Sequence, residues 1–374
     1  MIKKLFIISF ILLSTYHTVY AISAESAILI DADSGRVLFE KNAHTKRGIA
    51  STTKILTAIV VLENASSDEV VNVSYKAANT EGSSMYLKSG EKITVENLLY
   101  GLMLNSGNDA ATALAEHTAG SVEEFAKLMN KKAKEIGMNS SSFANPHGLD
   151  NENHYSTAYD MAMLTKYAME NKTFKNIVGT KTKIAKNENG DYKYLTNHNK
   201  LLSIYEYCLG VKTGFTKKCG RCLVSFSEKN GVKLIAITLN APNDWNDHIK
   251  LYDEYFSIYK RYNIIDINNY VASINIENAD DTDLKLYNCK AINLTLKDEE
   301  YKKIKIKYNI KDNVKVPIYK GQILGEINIM LDNKIIASSP VASMYGIQNK
   351  KTTTCKDNII FLLNNLLSLF YKNI

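Results

Sequence analysis

Three short motifs, in a fixed order and on different kinds of element, constrain this chain most. Ser51-Thr52-Thr53-Lys54 stands at a predicted helix start, Ser106-Gly107-Asn108 lies between two helical stretches, and Lys212-Thr213-Gly214 opens the first strand of a late group. A serine hydroxyl is a poor nucleophile until a neighbour removes its proton. A lysine three residues later on a helix shares the serine's face. That lysine can act as the base only if desolvation or a nearby cation lowers its pKa. A fold that makes one site of these motifs must bring a helix start, a turn and a strand together.

Taken singly, two of the motifs are weak. Ser257-Ile258-Tyr259-Lys260 repeats the first pattern and Ser273-Ile274-Asn275 the second. Lys-Thr-Gly occurs once, and only the Ser51 and Ser106 copies precede it. Their chemistry assigns roles. Ser51 is the nucleophile and Lys54 its general base. Ser106 relays a proton to the leaving group. Asn108 holds Lys54 or a substrate amide. Lys212 supplies the second cation. Gly214 leaves room for an extended substrate along the strand. The backbone N–H groups of Ser51 and Phe215 are the expected oxyanion hole, where one such donor is worth ~3–4 kcal/mol.

Around the motifs, Ala27 to Asp31 and Val37 to Lys41 read as a hairpin across Asp33-Ser34-Gly35. Ser51 to Glu63 is helical in pattern. Thr94 caps a run through Leu104, Ser121 to Glu124 reads as a capping box with Gly137 as the stop, and Thr157 opens a helix towards Asn171. Cys222 to Ser227 and Val232 to Leu239 are strands joined through Asn230-Gly231. Asp247 to Arg261 reads as a closing helix. From Asn263 the texture turns to β: Lys303 to Tyr308 alternates with period two, Val314 to Ile318 and Glu326 to Leu331 continue as strands, and Asp332-Asn333 is a turn. The expected division is residues 22–262 as a catalytic domain, 263–348 as a small β-rich domain and 349–374 as a tail.

Both ends carry targeting signals. Lys3 and Lys4, the apolar run Leu5 to Leu13 and Val19-Tyr20-Ala21 make residues 1–21 a signal peptide; the run is short for a membrane span, which needs ~20 apolar residues. In the tail, Ile359, Ile360, Leu363, Leu366, Leu367 and Phe370 fall opposite Asn364, Asn365 and Ser368 on a helical period. That pattern fits an amphipathic helix lying on a membrane surface, with Lys350, Lys351 and Lys356 towards anionic headgroups. The alternative is a terminal helix docked on the protein's own core. The formal charge of +7 would fall to +5 with the loss of Lys3 and Lys4, on a chain placed outside the membrane among wall polymers. Export, and lysines spread along strands, disfavour nucleic acid.

These residues resemble a known family, and the motif trio is its recognised signature rather than something spacing alone derives. The chain is similar to low-molecular-mass penicillin-binding proteins, the serine-type D-alanyl-D-alanine carboxypeptidases. The likeness runs through Ile30 to Gly35, Ala50 to Lys54, Asn105 to Ala111, Asn145-Pro146-His147-Gly148-Leu149, His154 to Ala158 and Lys212 to Thr216. It implies an α+β fold of the serine β-lactamase and penicillin-binding-protein kind, an antiparallel sheet with helices, then a β-rich domain and an amphipathic anchor. It implies removal of the terminal D-alanine from peptidoglycan stem pentapeptides through an acyl-enzyme on Ser51, covalent inhibition by penicillins, no cofactor and no metal. It places Thr213, Gly214, Phe215 and Thr216 at the substrate, on the outer face of the cytoplasmic membrane.

Two departures stand out. Many members have an arginine near the closing helix for the substrate carboxylate; the aligned positions here, Asn243-Asp244-Trp245-Asn246, have none, which leaves Thr213, Lys212 and Thr216 for that task. Cys219-Gly220-Arg221-Cys222 puts cysteine where a small residue is commoner. A Cys-x-x-Cys redox site would need a helix N-terminus, and Cys222 enters a strand. The seven histidines lack His-Glu-x-x-His, so zinc is disfavoured, and His147 and His154 read as structural. A β-lactamase would need a deacylating glutamate motif, and no Glu-x-x-Leu-Asn lies between Asn108 and Lys212. An endopeptidase or transpeptidase of the same fold remains an alternative. A non-catalytic wall-binding protein would have no use for Ser51, Lys54 and Lys212 together.

Overall fold

The computed structural model describes residues 22–276, 279, 283–311 and 314–348. The expected signal segment 1–21 and tail 349–374 lie outside them. The described residues form two compact units: one of residues 22–30, Val37–Ser227 and Leu234–Glu254, the other of Asp31–Arg36, Glu228–Lys233 and the described residues between 255 and 348.

The larger unit holds a five-stranded sheet in the order Val37–Lys41, Ser26–Asp31, Val232–Leu239, Gly220–Lys229, Cys208–Thr216. The inner strand residues Leu234 to Leu239, apolar apart from Thr238, bury both faces. Asn230 and Gly231 both take positive φ (51° and 78°) at the hairpin, which two-residue turns between twisted strands require. Helix Lys54–Asn64 is apolar nearly all round and is buried from Lys54 to Val61. Helices Val95–Leu104, Asn108–Ala119, Val122–Ile136 and Ala158–Glu170 surround it. Three of these starts are capped, with Thr94, Ser121 and Thr157 side chains accepting from Asn97, Glu124 and Asp160 N–H, while Asn108–Ala119 starts from Gly107 with no side-chain cap. Gly137 closes its helix in the left-handed region.

The structure differs from expectation at several places. Lys212-Thr213-Gly214 does not open its strand; it falls late in Cys208–Thr216. The closing helix runs Asp244–Ile258, because Lys260-Arg261-Tyr262-Asn263-Ile264-Ile265 is a strand paired with Ile292–Leu296. A hairpin of Thr182–Lys186 and Tyr192–Thr196 was not expected: Ala185 and Leu195 are its only buried residues, too few to give an alternating pattern. Val314 to Ile318 is no strand; Pro317 has no N–H to give a ladder, and only Ile318 bridges, to Ile347.

In the smaller unit a second five-stranded sheet runs Tyr270–Asn275, Asp283–Asn288, Lys334–Ser343, Ile323–Leu331, Lys305–Ile310. Leu284, Leu286, Ile327, Ile329 and Val341 fill its core. Asp332 and Asn333 form the expected turn, both at positive φ. Lys305–Ile310 is an outer strand, so its alternation gives no fully buried face; its lysines suit an unpaired edge.

Candidate active site

Ser51 sits in a 3-10 turn, Ala50–Thr53, that runs directly into helix Lys54–Asn64. Several contacts fix this turn. Gly148 has φ +89°, and a Cβ there would lie 1.9 Å from the Ala50 carbonyl oxygen. Only glycine lets the segment from Asn145 to Leu149 press so close. Thr53 Oγ1 lies 2.8 Å from the Ala50 carbonyl oxygen and 2.7 Å from His154 Nε2. His154 Nδ1 accepts from Ala144 N–H, so Nε2 carries the proton and donates to Thr53. Burial holds His154 near a pKa of about 4 and His147 near about 3. Both rings are neutral parts of the scaffold.

Lys54 is fully buried. Its Nζ lies 2.9 Å from Ser51 Oγ, 2.7 Å from Asn108 Oδ1 and 2.8 Å from the His147 carbonyl oxygen. Burial first, and then the nearby Lys212, lower its pKa well below the ordinary lysine value, against a smaller opposing pull from Asp109. A neutral amine has two N–H donors and one lone pair. Two of the three partners are carbonyl oxygens that can only accept. The lone pair is therefore left for Ser51, whose hydroxyl can donate.

Asn108 is held in turn by its Nδ2, which donates to the Glu81 carbonyl at 2.6 Å. Its neighbour Asp109 is buried and accepts from Met85 N, Leu87 N, Ser84 Oγ and Ala110 N. These bonds lash the loop around Ser83 to the start of helix Asn108–Ala119. Ser106 precedes that helix in the left-handed region, φ 59°, and lines the same pocket as Ser51. Lys212 is buried with its Nζ on the Thr213 carbonyl at 3.1 Å, and burial lowers its pKa to about 7. Gly214 passes close to the Ser51 turn: a Cβ there would lie 3.0 Å from both Ile49 O and Ser51 N.

The pocket thus gathers Ser51, Ser106, Thr213, Gly214 and Phe215, with Ser83, His198, Lys200, Arg221, Asp244 and Trp245. Thr216 does not line it; alternation turns Thr216 to the other strand face, where its hydroxyl donates to Asp150 Oδ1 at 2.9 Å. An arginine does reach the pocket, contrary to the local alignment. Arg221 pairs across the strands with Phe215, and Thr213 with Leu223, so Thr213, Phe215 and Arg221 share a face. Arg221 Nε and Nη2 donate to Asp244 Oδ1 at 3.0 and 2.8 Å, and its guanidinium lies 5.5 Å from the centre of the Trp245 ring. The hairpin register was the sequence signal for it.

Cys219 and Cys222 are free thiols. Burial pushes the Cys222 thiol up to about 12 and raises that of Cys219, the reverse of a redox thiolate. Cys219 packs where a Cβ on Gly48 would come within 2.3 Å of its Sγ. Among the described residues no cluster of three His, Cys, Asp or Glu side chains is set to hold a metal, and no helix is long and apolar enough to cross a membrane.

A family model described as D-alanyl-D-alanine carboxypeptidase matches residues 14–243, and one described as penicillin-binding protein 5, C-terminal domain, matches residues 259–348. The D-alanyl-D-alanine carboxypeptidase DacF of Bacillus subtilis (strain 168) is 38% identical over 330 residues, covering 86% of this chain and 85% of that protein. DacC of Escherichia coli (strain K12), another D-alanyl-D-alanine carboxypeptidase, is 31% identical and covers 88% and 85%. The crystal structure of penicillin binding protein 5 from Haemophilus influenzae superposes with a TM-score of 0.76 at 27% identity, covering 88% of this chain and 98% of that one.

Proposed function

This chain belongs to the D-alanyl-D-alanine carboxypeptidase family and is a serine-type D-Ala-D-Ala carboxypeptidase, and we propose that its chemistry runs through Ser51, Lys54, Ser106, Asn108 and Lys212. The observation that carries this reading is the buried Lys54 amine, 2.9 Å from Ser51 Oγ with its other two partners unable to donate a proton.

Neutral Lys54 takes the Ser51 proton as Oγ attacks the carbonyl between the two D-alanines. The backbone N–H groups of Ser51 and Phe215 meet the developing oxyanion. Ser106, in the same pocket as Ser51, passes a proton to the departing D-alanine amine. Water then hydrolyses the Ser51 ester with Lys54 again as base. A penicillin enters the same steps, but its leaving group stays tethered to the acyl-enzyme.

The substrate's terminal carboxylate rests on Arg221 and Thr213. Lys54 and Lys212 are pushed towards neutrality, whereas a guanidinium keeps its charge at any working pH. Two of Arg221's five N–H donors go to Asp244, and its side chain is 42% exposed on the pocket wall. Of Thr213, Lys212 and Thr216, to which the sequence left the carboxylate, Thr213 keeps that role and Thr216 is turned to Asp150. The domain limits 22–262 and 263–348, the export signal 1–21 and a membrane-surface anchor at 349–374 complete the proposal, supported by the sequence patterns at both ends. The test is D-alanine release from a pentapeptide ending in D-Ala-D-Ala. Wild type releases one D-alanine and Ser51→Ala none; undiminished release by Ser51→Ala would overturn the assignment.

A further inference from the structure

The smaller unit segregates its charge. Residues 301–320 hold seven lysines and one acid, Asp312, a net +6. The remaining residues between 255 and 348 hold six cations and ten acids, a net −4. Deterring edge-to-edge pairing accounts for a lysine or two on an outer strand. It does not account for a basic run of this size in a unit that is otherwise acidic.

Topology puts the lysines in a row. Lys305–Ile310 is an outer strand, and its neighbour is Ile323–Leu331. Ile306 and Tyr308 pair with Ile329 and Ile327, which belong to the core. Lys305 and Lys307 therefore take the opposite face. Lys303 precedes them on the same alternation. Lys311 follows them, with its N–H still bonded to the Leu324 carbonyl. All four are exposed. Lys233 and Lys260 of the same unit sit on Asp33 and Asp298, whereas these four have no salt bridge among the described residues. Glu326, an acid on their face opposite Asn309, already accepts from Asn328 Nδ2 at 2.9 Å. Alternate strand residues lie ~6.8 Å apart, inside the ~8 Å screening length of physiological salt. The charges of the row thus add, and they repel one another until an anion lies along them.

We propose that this row is a docking strip for a linear phosphodiester polymer of the cell wall, of the polyol phosphate kind. The family's substrate lies in the wall, where such polymers are within reach. A single row of cations matches a chain better than a plane: a flexible polyanion follows the strand and meets each ammonium in turn. Each ammonium offers three N–H donors to phosphate oxygens, and each neutralised phosphate releases counterions. The strip holds the enzyme on the polymer and takes no part in the chemistry at Ser51, so the two readings are tested apart.

The test titrates the full chain with a fluorescently labelled glycerol phosphate polymer, and separately with vesicles of anionic lipid, at several salt concentrations. Four phosphate contacts give a slope of about −3 in log K against log salt, or about fifty-fold weaker polymer binding at 200 mM than at 50 mM. The double variant Lys305→Gln, Lys307→Gln should weaken polymer binding and bring the slope about 1.4 closer to zero. The double variant Lys285→Gln, Lys290→Gln removes the same charge from another strand and should bind as wild type does. Both should release D-alanine from the pentapeptide at the wild-type rate. No polymer binding by wild type, or binding indifferent to salt, overturns the proposal whatever the variants do. Equal losses in the two variants also overturn it, because net charge alone then explains the binding. A Lys305, Lys307 variant that loses vesicle binding but keeps polymer binding assigns the row to a membrane and overturns it as well.

Discussion

Replacing Lys212 with methionine should stabilise the protein at neutral pH while destroying its chemistry. Burial holds the Lys212 amine near a pKa of about 7, against 10.5 for an ordinary lysine. At 1.36 kcal/mol per pH unit, keeping it buried at pH 7 costs about 4 kcal/mol of folding stability. Between pH 7 and 10.5 the unfolded chain binds more protons at this position than the folded one. Stability contributed by the depressed group is thus fully present above 10.5 and is lost as pH falls towards 7. Methionine has a similar length and no charge, and it gives up one bond to the Thr213 carbonyl, worth about 1 kcal/mol. The net expectation is a gain of about 2–3 kcal/mol at pH 7 that shrinks as pH is raised. Denaturant unfolding at pH 7 and pH 10 measures both values. A variant no more stable than wild type at pH 7, or a difference that does not change with pH, would refute the claim that this lysine is held under electrostatic strain.

Two other substitutions probe the scaffold. Asp109→Asn removes a carboxylate that accepts from four donors; it should lower stability by about 2–3 kcal/mol in thermal unfolding. It should also slow acylation, because the loop whose Glu81 carbonyl anchors Asn108 comes free. Gly48→Ala drives a Cβ into Cys219 Sγ and should cost about 1–2 kcal/mol. Adding Cys219→Ala should restore most of that, so a double-mutant cycle with no coupling between the two positions would count against the packing described.

The serines and lysines proposed to carry the chemistry were legible because each motif is contiguous and its element sets its direction. Ser51 and Lys54 need only one helical turn to meet. Arg221 was quoted in the sequence but not assigned to the pocket, because its place depends on the pairing of Phe215 with Arg221 rather than on distance along the chain. The support given by Asp109 and His154 was illegible for the same reason: their partners, Met85 and Thr53, are brought near by loops that carry no periodic pattern. In the smaller unit, the turn at Asp332-Asn333 was clear from its residues. Pro317 is the residue that keeps Val314 to Ile318 from pairing as a strand.

The central claim is that a neutral, buried Lys54 takes the proton of Ser51. The rate of acylation by a labelled penicillin, followed against pH with the adduct mapped by mass spectrometry, tests it most directly. The account predicts label on Ser51, at a rate that rises as pH climbs through the lowered pKa of Lys54 and then levels off, and no label at any pH in Lys54→Arg, whose guanidinium stays charged. Label on another residue, or Lys54→Arg acylating at the wild-type rate, would contradict it.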